Sequence, residues 1–191
     1  LKKYVEGYSM TSNKTFTTRN LVLMALFIAL GIVLPISFHV FGNVARVLSP
    51  MHITVFIAGA LMGPVAGLVV GALTPLLSSL ITSMPPLMPM LPLMFFELAV
   101  YGLVIGYLYR VKKMNIFVSL LISMLIGRIA YGIVASIMVY VFAVPNLQGN
   151  PFVLVPTMIV SGLPGIVLRL LVVPLIVKFL GNTRYFQEET E

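Results

Sequence analysis

The sequence has no cysteine, no tryptophan and no aspartate, and its only acid between residues 7 and 187 is Glu97. Without cysteine there are no disulfides, no thiolate metal ligands and no thiol nucleophile. With one interior carboxylate there is no acid pair for hydrolysis, no HExxH or GxSxG pattern is present, and Ser78 and Ser79 have no histidine near them in sequence. The constellation that an intramembrane enzyme needs is therefore missing. No GxxxxGK[ST] loop occurs, so the chain does not grip a nucleotide by that chemistry. An aromatic cage for a cationic ligand is disfavoured by the absence of tryptophan and the excess of interior arginine over acid.

What is present is apolar: 60% hydrophobic residues, 9% charged, and a mean hydropathy of +1.09. Several runs reach the roughly 20 residues that cross a hydrocarbon core about 30 Å thick. The polar start of the chain meets a run over residues 21–38 that lacks a small-residue cleavage pattern and is long enough to span, so it reads as a first helix and not a signal peptide. Further stretches cover residues 53–82, 93–109, 116–142 and 156–180.

The charges decide whether residues 53–82 cross once or twice. Basic residues mark the cytoplasmic side of short loops, and they cluster at Lys2, Lys3, Lys14 and Arg19, at Arg110, Lys112 and Lys113, and at Lys178 and Arg184. For all three clusters to share one side, residues 53–82 must be two helices hinged near Gly63-Pro64. The expectation is an all-α membrane protein: a compact bundle of six transmembrane helices over residues 21–180, with residues 1–20 and 181–191 cytoplasmic. Arg46 is the one formal charge in the outward loops. The net charge of +7 thus reads as topology, and no nucleic-acid partner is expected. The helices flanking the hinge are short, about 12 and 18 residues, and so are expected to be tilted, incomplete or packed away from lipid.

Glycines at 59, 63, 67 and 71 allow close backbone approach between helices, and Pro64 divides them into two expected faces. Ala25 and Ala29 share one face of the first helix. Within the spans Glu97, Arg128 and Arg169 are the ionisable residues that a bilayer makes expensive and therefore candidates for function. Tyr101 follows Glu97 by four residues and Tyr131 follows Arg128 by three, which puts each tyrosine on the face of its charged neighbour. Two readings stand side by side: Glu97 pairs with Arg128 or Arg169 to neutralise buried charge, or these groups contact a ligand. Counting 1.5 Å per residue places Arg128 about 20 Å below the outer end of its helix, deep for ligand contact. Arg169, with wholly apolar flanks after Pro164-Gly165, reads as structural before it reads as a ligand contact. The outward loops add His39, Asn43, Arg46, Ser49 and His52, then Met84, Met88 and Met90, then Asn146, Gln148 and Asn150. His52 reads as a cap or surface residue, and neither histidine has carboxylate companions for a metal site. No cofactor or metal is expected.

The run LSPMHITVFIAGALMGPVAGLVVGALTPLLSSLITSMPPLMPMLPLMFFELAVYGLVIGYLYR, with LIGRIAYG and SGLPGIVLRLLVVP, resembles the substrate-binding S component of energy-coupling factor (ECF) vitamin transporters, and within that superfamily the group assigned to pantothenate. The resemblance covers about residues 20–180. It implies a six-helix receptor in the bacterial cytoplasmic membrane that captures a vitamin outside and topples to release it inside, driven by a transmembrane coupling subunit and two ATPases. It also implies that Ala25 and Ala29, matching the family's AxxxA pair, dock on that coupling subunit. The candidate substrate-binding set is Asn43, Arg46, Met84, Glu97, Tyr101, Arg128 and Tyr131. Two alternatives remain open: another anionic vitamin or precursor as substrate, and a self-sufficient secondary carrier whose Gly63-Pro64 and Pro164-Gly165 breaks form midplane sites.

Overall fold

The computed structural model describes residues 16–38, 50–142 and 162–181. Their secondary structure is helical throughout: α1 Thr18–Phe38, α2 Pro50–Met62, α3 Pro64–Thr82, α4 Met90–Ile105 continued by a π-helical turn Gly106–Val111, α5 Ile116–Tyr140 and α6 Leu163–Gly181. Among the described residues five of these are long and apolar enough to cross a membrane, and α2 is a shorter apolar helix. The all-helical bundle is as expected, and the shortness of α2 agrees with the expectation of a helix incomplete or packed away from lipid. At 13 residues α2 rises only about 20 Å, yet every residue of it except Ile53 is buried. It packs against α1, α3, α4 and α6, so lipid has little part in its surroundings.

The hinge between α2 and α3 is a single residue. Gly63 adopts φ +95°, a backbone region closed to most side chains, and Pro64 follows at the first turn of α3, where its missing N–H costs nothing. The break is nonetheless hydrogen-bonded on both sides: Gly63 N–H donates to the Gly59 carbonyl and Gly67 N–H to the Gly63 carbonyl, each at 2.9 Å.

Close approach then organises the bundle. A side chain on Gly59 or Gly67 would run into the Gly102 carbonyl of α4, one on Gly71 into the Leu98 carbonyl, and one on Gly106 into Gly63 and Pro64. The glycines on either side of the hinge therefore form one seam against α4 and not two separate faces, because the hinge turns α2 and α3 toward the same neighbour. Other breakers expected from sequence are absorbed. Pro75 lies inside α3, where Thr74 Oγ1 donates to the Val70 carbonyl at 2.6 Å. Pro164 and Gly165 fall in the first turn of α6, where proline removes no helical bond. Ser78 and Ser79 donate to the Met84 and Pro85 carbonyls at 2.7 Å each, tying down the turn that follows α3.

Leu61 of α2, Tyr109, Arg110 and Lys113 after α4, and Gly181 of α6 line one crevice of about 330 Å³. The second basic cluster therefore meets the C-terminal end of α6, the helix that carries Lys178, at one end of the bundle. Arg110 donates to the Leu61 carbonyl there, satisfying a backbone acceptor at the end of α2. Gly31 of α1 lies against Thr54 and Thr74 near the opposite end. The N-terminal half of α1, with Arg19, therefore runs toward the basic end.

Candidate functional site

Glu97 sits on the second turn of α4, 2% exposed, and its Oε1 accepts two bonds. Tyr101, one turn along the same helix, donates its hydroxyl at 2.6 Å, and Arg128 of α5 approaches with Nη1 at 2.9 Å. Gly127 makes this possible. A Cβ there would overlap the Tyr101 ring, so glycine lets α5 close on α4 and carries the adjacent Arg128 to the carboxylate.

Aromatic groups surround the pair. The fully buried Tyr101 ring packs on Phe56 at a centroid distance of 4.9 Å and on His52 at 5.7 Å, both from α2. Tyr131 is 4% exposed, and the Arg128 guanidinium lies 6.0 Å from the centre of its ring. Burial of His52 corrects the reading of it as a cap or surface residue: α2 is enclosed from its first turn, so its whole circumference faces protein.

Arg169 of α6 completes the cluster at 3% exposure. It lies within electrostatic reach of Tyr101, Glu97 and Arg128. Its buried Nε has no hydrogen-bond partner, and among the described residues no carboxylate lies within ion-pair distance of it. Of the two possible partners for Glu97, the structure selects Arg128.

Of the other candidates, Met84 is half exposed in the turn between α3 and α4, apart from the cluster. Asn43 and Arg46 lie outside the described residues, as do His39, Ser49, Asn146, Gln148 and Asn150. Ala25 and Ala29 are exposed on α1, in a stripe with Val22, Val33 and Ile36. The described α5 has 25 residues and a rise of about 38 Å, longer than a bilayer core, so its end gives no fixed level from which to count the depth of Arg128. Phe56 and Gly127 escaped notice in the sequence, although Phe56 is one turn from His52 and Gly127 directly precedes Arg128. Among the described residues no three histidine or acidic side chains gather as metal ligands. An apolar groove of about 570 Å³ runs between α4 and α5 past Phe96, Val100, Ile133 and Ile137, and neither it nor the basic crevice is lined by a cluster residue.

This arrangement is a buried cluster of charge walled by aromatic rings, with the chemical groups to hold a polar ligand by ionic and hydroxyl hydrogen bonds. No curated protein and no solved structure matches the chain. The substrate-specific component family of ECF transporters matches residues 19–177, which takes in the glycine seam, the hinge and every member of the cluster. The chain belongs to the ECF transporter substrate-specific component family and is a multi-pass membrane subunit of a transporter.

Proposed function

We propose that this S component captures a small anionic vitamin, pantothenate before others, from outside a bacterial cell and hands it inward after docking on an ATP-driven coupling module. The observation that carries the reading is the sign of the buried charge: two guanidiniums face one carboxylate around Tyr101. A cationic substrate would meet repulsion there, and an anion meets attraction that low dielectric strengthens.

Pantothenate has one carboxylate, two hydroxyls, an amide and a gem-dimethyl group. Glu97 accepts from the hydroxyls, and Arg128, already oriented by Glu97, offers its remaining donors. Tyr101 and Tyr131 supply phenol edges and an apolar wall for the methyl groups. Asn43, Arg46 and Met84 remain part of the proposed substrate-binding set on the strength of the sequence alone. The exposed Ala25 and Ala29 stripe is the face for the coupling subunit, because small residues allow a partner helix to come close and leave again.

The test is equilibrium binding of pantothenate to the purified chain and to its Arg128→Ala variant. The variant is expected to bind more weakly by about 2–5 kcal/mol, the usual penalty for truncating one partner of a buried charge pair. An unchanged dissociation constant makes Arg128 a structural residue. Uptake that proceeds by an ion gradient without a coupling module would instead favour a self-sufficient carrier.

A further inference from the structure

We infer that Arg169 is the seat of the ligand's negative charge and that the site is built for a monoanion, typically a small carboxylate. This rests on the chain being a substrate-binding component and names the group that takes the substrate's charge. Glu97 and Arg128 cancel at 2.9 Å. That leaves one positive charge, on Arg169, with a side chain 3% exposed and a buried Nε that donates to nothing.

Among the described residues Glu97 is the only acid, so none of them supplies a second counter-charge. The segments joining α1 to α2 and α5 to α6, residues 39–49 and 143–161, contain no acid, and the four other glutamates are Glu6, Glu188, Glu189 and Glu191 at the chain ends. A guanidinium held away from water without a partner is among the costlier features a membrane protein can carry. Its retention is explained if the counter-ion arrives from outside. One surplus charge calls for one negative charge. A guanidinium presents Nε and one terminal nitrogen as parallel donors, the fork that a carboxylate fills.

The placement of Arg169 agrees. It lies within electrostatic reach of Glu97, Tyr101 and Arg128, so a ligand whose carboxylate sits on Arg169 would extend its uncharged polar groups toward them. Among the described residues the helix that carries it, α6, packs mainly on α2.

The deciding experiment pairs two readouts on the full-length chain in detergent, wild type against Arg169→Met, a substitution that keeps the apolar stem. The first is thermal unfolding without ligand. Loss of an unneutralised buried charge is expected to leave the melting temperature equal or higher, whereas loss of a structural counter-ion to Glu97 would lower it by several degrees, and that result overturns the assignment. The second is calorimetric binding of pantothenate, biotin and nicotinate, each against a neutral counterpart: pantothenyl alcohol, biotin amide and nicotinamide. Wild type is expected to prefer at least one acid over its neutral form, and Arg169→Met to lose that preference with the acid weakened about a hundredfold. Equal binding of acid and neutral form by wild type, or an unchanged acid affinity in the variant, overturns it. A wild type that binds none of the three acids sinks the proposed vitamin function, and the melting comparison then decides the role of Arg169 alone.

Discussion

At the scale of single residues, the structure separates two arginines that look alike in the sequence. Arg128 is neutralised by Glu97, Arg169 is not, and Tyr101 spends its hydroxyl on the same carboxylate oxygen that Arg128 approaches. Glu97→Gln should therefore be the most damaging conservative change in the interior, since it takes the one counter-charge from Arg128 beside an Arg169 that already lacks a partner. Breaking a buried pair from one side costs about 3–5 kcal/mol, and thermal unfolding of the ligand-free chain reads the loss. A Glu97→Gln variant that melts with wild type would mean that water, not protein, solvates this cluster. Gly127→Val tests the same site sterically. A side chain there displaces the Tyr101 ring, so substrate binding should fall even though no charge has changed. The identity of the charged residues was legible from composition, because an ionisable group in an apolar span is conspicuous. Their pairing was not: Arg128 and Arg169 have similar apolar flanks, and only the approach of α5 to α4 at Gly127 distinguishes them.

At the scale of elements, the seam between α2, α3 and α4 holds the site in place. Gly102 lies between Gly59 and Gly67, and α4 carries Glu97 and Tyr101 on the outer side of that contact. Gly102→Val should push α4 off the hairpin, at a cost of about 1–3 kcal/mol or more for overpacking. The expected result is a lower melting temperature together with weaker substrate binding. A melting temperature equal to wild type would show that the seam is looser than its geometry. The exposed stripe on α1 that we propose as the docking face belongs to a different surface. Replacing Ala25 and Ala29 with leucine should abolish transport in membranes containing the coupling module while leaving substrate affinity near wild type; an equal fall in both would join docking to binding. The glycine spacing and the hinge were readable in sequence, since Gly63-Pro64 breaks an otherwise continuous apolar run. The convergence of all four glycines on one helix was not, because the angle between α2 and α3 depends on the φ of Gly63, which no periodicity reports.

At the scale of the whole molecule, the described helices are wound about the short α2. Its length and apolar character were legible in the sequence, which led to the expectation of a helix incomplete or packed away from lipid; its burial on nearly every side is a property of its neighbours, which hydropathy does not report. The basic clusters serve the topology better. Arg110 and Lys113 share a crevice with the end of α6, as the charge rule requires for loops on one side of a membrane. The cluster of Glu97, Arg128 and Arg169 lies away from that end, near the first turn of α2, where His52 meets Tyr101. A receptor open to the outside and charged for an anion is the account these features support together. The most direct test is to purify the chain from its native membrane, extract the bound small molecule and identify it by mass spectrometry. The account predicts one monoanionic carboxylate, with the mass of pantothenate, near one per chain. A bound cation, or a neutral compound in that proportion, would contradict it.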